Sequence, residues 1–297
     1  MIHFRPRTVI IAIQLAGRLR RRQVINHLNF MNQNPSHFGY ITQSAQGIFA
    51  FPAYDKAIGG ALLDTGTWAT EEIEMISKLI SPEDEVLIVG GHLGTVAVPI
   101  SRSAKRVAVV EANPEIYKFL QANMLLNGVQ NADLVWTAAG NEVKTVKFLA
   151  GTENSGGSKI SPVNPHPHYL ENLLKVCEVQ TSRLDDQFRG RIFRIIFMDI
   201  EGSEYFALQG MPTLLSSASV LFVEFIPHHL RYVAAVSPQS FASLLSAHFN
   251  YLYIPSMKSY VEKDAFEPLL SRLYDLESSH DQIVFTKDLV DIQKLAG

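Results

Sequence analysis

Apolar residues fall along this chain in short continuous runs separated by segments with helical spacing. The clearest run is Val86-Leu87-Ile88-Val89, closed by Gly90-Gly91. Four consecutive apolar positions predict a strand covered on both faces, as in the middle of a parallel sheet. Comparable runs lie at Arg106 to Val110 before Glu111, at Asp133 to Ala138, and at Phe193 to Met198 before Asp199-Ile200-Glu201-Gly202. Another, Val220 to Ile226, carries Glu224 inside it and Pro227-His228-His229 just beyond. Between these runs, helices are expected from Gly94 to Ser103, from Pro114 to a stop at Asn127-Gly128, and from Ser203 to Leu215. Strands that alternate with helices predict a doubly wound α/β fold with a mostly parallel sheet.

The flanks are less regular. Upstream, a short strand is expected at Ile48 to Phe51, and a helix from Thr70 to Leu79, stopped by Ser81-Pro82. Val9 to Ala16 reads as an amphipathic helix, too short and too poorly flanked for a signal peptide. Residues 1–79 therefore form an N-terminal extension, mainly helical with a short strand, ahead of a catalytic domain over 80–297. Downstream, the pattern predicts a helix from Pro238 to Phe249 and strands at Tyr251 to Ile254 and Gln282 to Thr286. Val143 to Leu149 alternates apolar and polar residues, so it either extends the sheet or forms a hairpin. Gly151 to His168, rich in Gly, Ser, Asn, Pro and His, should be a surface loop, either a lid or an inert connection.

Composition narrows the class. Hydrophobic residues make up 47% and charged residues 19%, ordinary for a globular protein. A net charge of −3 supplies no global field for a polyanion. A nucleic-acid partner is not expected and would need the local patch Arg18, Arg20, Arg21 and Arg22. A membrane span takes about 20 apolar residues, and no run approaches that, so no transmembrane segment is expected. Cys177 is the single cysteine, which excludes an intrachain disulfide and a metal cluster built on cysteines; it reads as a small buried hydrophobe. These features fit a cytoplasmic protein. The oligomeric state stays open, a homodimer being one option.

Candidate chemistry collects at the predicted carboxyl ends of the strands, where open α/β sheets bind ligands. Gly90, Gly91 and Gly94 sit in a strand-to-helix turn that can admit a ligand close to the backbone. Glu111 ends the next strand, placed to accept both hydroxyl hydrogens of a ribose. A dinucleotide fingerprint would need a glycine at Val89 as well. That missing glycine favours a phosphate-free adenosine ligand, S-adenosylmethionine, over a nicotinamide cofactor. Asp199 and Glu201 lie two residues apart, so they face one crevice if extended geometry continues, and each raises the other's pKa. Glu204, Glu224, His228 and His229 are further candidates. No compact two-histidine spacing supports a metal, and none is expected.

From Gly47 onward the chain resembles FkbM-type methyltransferases. The resemblance rests on Gly59-Gly60, Gly66-Thr67-Trp68, Val86 to Gly94, Val110 to Pro114, Leu120 to Asn127, Arg183-Leu184-Asp185-Asp186 and, most specific, Met198 to Glu204 with Leu208 and Gly210. It implies methyl transfer from S-adenosylmethionine to a hydroxyl of a sugar, glycolipid, polysaccharide or polyketide-like acceptor. Gly90, Gly91, His92, Gly94, Glu111, Ala112, Asn113 and Ala138 are expected around the donor, and Asp199, Glu201 and His228 around the acceptor. The family usually has an acidic residue where this chain has Ile88, a departure that motivates a rival reading, a non-catalytic scaffold. A nucleic-acid methyltransferase is the second rival.

Overall fold

The computed structural model describes residues 39–169 and 174–297. The expected helix at Val9 to Ala16 and the arginine patch lie outside them. An antiparallel hairpin, β1 (Gly39–Gln43) and β2 (Ile48–Pro52), comes first. Helices Ile58–Asp64 and Thr70–Leu79 lead to β3 (Glu85–Val89), β4 (Arg106–Glu111) and β5 (Ala132–Trp136). Then come β6 (Ala138–Ala139), β7 (Thr145–Gly151), β8 (Lys159–Ile160) and β9 (Leu174–Ser182). The chain closes with β10 (Ile195–Met198), β11 (Val220–Phe225), β12 (Tyr251–Ile254), β13 (Ser259–Glu262) and β14 (His280–Thr286).

Among the described residues, eight strands form the main sheet in the order β13-β12-β14-β11-β10-β3-β4-β5. The five from β11 to β5 run parallel, while β14 is antiparallel to both β11 and β12. The chain winds outward from β3 through β4 to β5, then recrosses to β10 on the other side of β3. That reversal opens a crevice at the carboxyl ends of β3 and β10, where a doubly wound sheet takes its ligand.

Alternate residues of each central strand feed two different cores. Ile88, Val109, Phe197 and Phe222 face one layer of helices; Val89, Val110, Met198 and Val223 face the other. Residues 39–79 share the first core, since Phe49, Phe51, Leu62 and Ile76 pack in it. Side-chain amides finish the attachment. Asn123, fully buried on the helix Pro114–Leu126, accepts from the Ala50 N–H at 2.6 Å and donates to the carbonyls of Ala50 and Leu93. Asn127 pairs with both backbone groups of Ile48. Two amides thereby satisfy the outer edge of β2, which would otherwise expose unpaired backbone groups.

Several expectations need correction. The helix foreseen from Ser203 to Leu215 is two helices, Glu204–Gln209 and Pro212–Ser217. The Pro212 ring has no N–H to continue the first, and a Cβ at Gly210 would sit 1.9 Å from the Gly140 carbonyl oxygen. Val143 to Leu149 joins neither the main sheet nor a simple hairpin; β7 pairs with β8 and β9 in a separate four-stranded sheet, β6-β9-β7-β8. The segment after Gly151 is not a plain surface loop, because Ser155 and Lys159 are buried. Cys177 is half-buried, packed beside the small cluster of Phe148, Ala150 and Val179. Strands β9 and β13 and the helices Phe266–Asp275 and Leu289–Ala296 were not foreseen. No helix among the described residues is long and apolar enough to cross a membrane.

Candidate active site

A cleft of about 690 Å³ opens at the reversal point, walled by the ends of β3, β4 and β10 and by the segment after β7. Its volume falls in the range usual for small-molecule sites. Of the expected donor residues, Gly90, Gly91, His92, Glu111, Ala112 and Ala138 line it. Gly94 and Asn113 stand behind that lining.

The glycines serve the turn itself more than a ligand's approach. Gly90 has φ +94°, and a Cβ there would meet the Asp199 carbonyl oxygen at 1.8 Å. At Gly91 it would meet the Val109 side chain at 2.2 Å, and at Gly94, φ +82°, that of Leu120 at 3.0 Å. The N–H groups of Gly90 and Gly91 both donate to the Val110 carbonyl. Glycine therefore brings β3, β4 and β10 together at the cleft floor.

Glu111 is buried in the wall. One oxygen accepts the His92 N–H at 2.8 Å, the other the Asn113 N–H at 2.6 Å. Burial pushes its carboxyl above the usual range, against the pull of those donors. Asn113 also caps the following helix, accepting from the N–H groups of Glu115 and Ile116. A carboxylate has about four acceptor positions, so Glu111 keeps acceptor capacity for a ligand hydroxyl beyond its backbone donors. Ala112, Ala138 and Phe148 supply an apolar wall beside it. A buried, backbone-anchored carboxylate next to an apolar slot fits the ribose and base of an adenosine.

The other end of the cleft is built from charged side chains. Asp199, Glu201 and Glu224 line it, each offering an oxygen within 4.8 Å of the others. Extended geometry does not bring Asp199 and Glu201 together. The strand ends at Met198, Glu201 adopts φ +57° and Gly202 φ +105°, and this turn folds both carboxylates inward. Lys159 pairs with Glu201 at 2.9 Å, and His229 bridges Glu224 at 3.1 Å and Glu201 at 3.5 Å. Asp199 keeps an open face to the cleft, yet the enclosing walls and then the Glu201 and Glu204 carboxylates push it well above the ordinary range. Enclosure does the same to Glu224, with Asp199 next in effect and Lys159 opposing. Such oxygens could receive a cation, but Lys159 already supplies Glu201 with one.

His228 requires correction, because it does not line the cleft. Its Nδ1 meets the Tyr169 hydroxyl at 2.5 Å, and its ring packs on His166 and Tyr232. A π-helical turn over His229–Ala234 follows, and it is His229 that points at the carboxylates. Glu204 is buried under the turn, accepting from the N–H groups of Ile200 and Gly202, with burial raising its pKa to about 6. Ile88, fully buried between Val109 and Phe197 in register, lies in the core below.

Sequence reasoning did not find Thr137, Phe148, Glu72 or Asp281, which also line the cleft. Nor did it find Asp55, which touches it through Ser155. No spacing rule joins residues so far apart in the chain.

Comparison with known proteins bears on this geometry. No curated protein matches. The FkbM methyltransferase from Methylobacillus flagellatus KT is 15% identical, with 70% of this chain and 44% of that one covered and a TM-score of 0.41. This chain thus spans less than half of that protein. TYW2 from M. jannaschii, solved with AdoMet, is 11% identical over 84% and 87% of the two chains, with a TM-score of 0.43. A dimethyladenosine transferase from Plasmodium falciparum is 12% identical over 75% and 62%, with a TM-score of 0.37. The model of the methyltransferase FkbM domain matches residues 89–253, from the end of β3 into β12. With more than half of its length, including the cleft's glycine turn, strand-end acid and acidic turn, inside that match, this chain belongs to the FkbM family of S-adenosylmethionine-dependent methyltransferases.

Proposed function

We propose that this chain transfers the methyl group of S-adenosylmethionine to a hydroxyl of a sugar, glycolipid, polysaccharide or polyketide-like acceptor. The observation that carries the reading is the two-ended cleft, with one anchored carboxylate against an apolar slot and a crowded carboxylate cluster opposite. The donor brings a methyl carbon already activated by its sulfonium. The chain's part is alignment and removal of one proton.

Glu111 would hold the ribose hydroxyls, while the Gly90 to His92 turn and Ala112 and Ala138 fit around the donor. Asp199 would accept the acceptor's proton on its carboxylate; its raised pKa makes that carboxylate a stronger base than an ordinary aspartate. Glu201, held by Lys159 and His229, would position the hydroxyl. The cleft's described lining includes Glu71, Glu72, Asp199, Glu201, Glu224 and Asp281, with Lys159 paired to Glu201 behind it. Carboxylates outnumber that one cation, a balance that suits the cationic donor and favours an uncharged hydroxyl acceptor over a polyanion.

Calorimetric titration with S-adenosylmethionine and S-adenosylhomocysteine tests the donor half. Binding of both is expected, and failure of either to bind at millimolar concentration would count against it. Methyl transfer to neutral glycans but not to RNA is the expected acceptor result; the reverse would overturn that half.

A further inference from the structure

Asp55 is buried, belongs to no motif, and is tied to the donor wall by a chain of hydrogen bonds. Its Oδ1 accepts from the N–H groups of Ala57 and Ile58 at 3.1 and 3.0 Å, and its Oδ2 accepts the Ser155 hydroxyl at 2.5 Å. With its own hydrogen committed to Asp55, Ser155 Oγ can only accept from the His92 ring, whose Nε2 lies 2.7 Å away. That relation assigns the proton of the neutral imidazole to Nε2. Burial lowers the His92 pKa to about 4, so the ring stays neutral around physiological pH.

The backbone of His92 is the unusual part. Its φ is +46°, in the left-handed region that residues with a Cβ seldom occupy. Gly90 and Gly94, on either side, enter that half of the map without penalty, but His92 does not. A strained conformation of this kind persists when its surroundings hold it there. In that conformation the His92 N–H meets Glu111 Oε2, and the ring on the same residue is gripped by Ser155.

We infer that Ser155 is a positioning residue for donor binding: through the His92 ring it holds the left-handed backbone whose N–H fixes the Glu111 carboxylate, and Asp55 orients the serine. The inference rests on the reading that Glu111 grips the donor. Ser155 lies 63 residues from His92 and 100 from Asp55, so the donor wall is complete only when the segment after β7 has docked. That gives the segment a task that neither a lid nor an inert connection describes.

A mutant cycle on the full chain separates this from simple packing. Affinity for S-adenosylhomocysteine is measured for the native chain, Ser155→Ala, His92→Gly, the double variant and Glu111→Ala, with hydrogen exchange read at the amide of residue 92. Ser155→Ala should weaken binding about tenfold and speed exchange at His92, the scale of one lost hydrogen bond. In the His92→Gly background the same change should matter less than about twofold, because glycine takes φ +46° unaided. Equal weakening in both backgrounds, or none in the native one, overturns the inference. If Ser155→Ala does not fold, Asp55→Asn is judged by the same two criteria. Should Glu111→Ala bind as well as the native chain, the Glu111 reading falls and the inference with it. Weakening by Glu111→Ala without weakening by Ser155→Ala removes the inference alone.

Discussion

The two ends of the cleft use carboxylates in opposite ways. At the proposed donor end, Glu111 is held by backbone N–H groups, themselves fixed by a glycine turn and a helix cap. At the proposed acceptor end, Asp199, Glu201 and Glu224 answer mainly to other side chains: Lys159, His229 and one another. Backbone anchoring makes the first end rigid. Mutual electrostatics make the second responsive to pH, because a proton gained by one carboxyl changes its neighbours. Turnover should therefore follow pH through several coupled carboxyls, whereas donor binding should follow it through Glu111 alone, weakening as pH falls through that group's raised value.

The largest expected effect would break that contrast at the acceptor end. Asp199→Asn should lower turnover by about a hundred- to ten-thousandfold, the usual worth of a general base, with donor affinity unchanged by calorimetry. Wild-type rates would remove Asp199 from the reaction. In the native chain the rate should fall as pH drops through the raised Asp199 value, since only the ionised carboxyl accepts a proton. The matching change at the donor end, Glu111→Ala, should cost about 1 to 3 kcal/mol of donor affinity and spare turnover at saturating donor. A loss of turnover alone would exchange the roles of the two ends.

Glu204, under the acidic turn, acts on stability instead. Its carboxyl sits at about 6 in the fold against 4.5 for an ordinary glutamate. The folded chain then holds a proton that the unfolded chain has released, so this contribution is full below the lower value and lost as pH rises through about 6. The change is about 2 kcal/mol, and Glu204→Gln, which still accepts from Ile200 and Gly202, should abolish it in denaturation at low and neutral pH. An unchanged pH dependence would contradict the burial argument. The smallest effect is expected at Lys159→Met. Without that cation the unbalanced Glu201 charge should move the acid limb of the rate profile to higher pH, with less than about a tenfold loss at neutrality. A limb that stays in place would show that Lys159 does not govern the cluster.

The parallel core was legible because β3, β4, β10 and β11 are buried on both faces and so read as continuous apolar runs. Strand β9 was not predicted because the apolar Val176 lies on its exposed face, which blurs the period-two pattern of a half-buried strand. The helix Phe266–Asp275 was overlooked although its apolar residues, Phe266, Leu270 and Leu273, recur at helical spacing. Gly90, Gly91, Glu111, Asp199 and Glu201 could be named beforehand because they abut those runs. His229 and His228 could not be told apart, since only the π-helical turn decides which ring meets Glu224. Asp55 and Ser155 lay further out of reach. Their contact is made by tertiary folding across 100 residues, with no local pattern to announce it.

Everything proposed for the donor end depends on Glu111 gripping the donor's sugar at the reversal point of the sheet. A crystal structure with S-adenosylhomocysteine tests it most directly. Density for a nucleoside in the cleft, with both ribose hydroxyls against the Glu111 carboxylate and the base toward Ala138, is the predicted result. A nucleoside bound elsewhere, or in the cleft with its sugar turned away from Glu111, would contradict it.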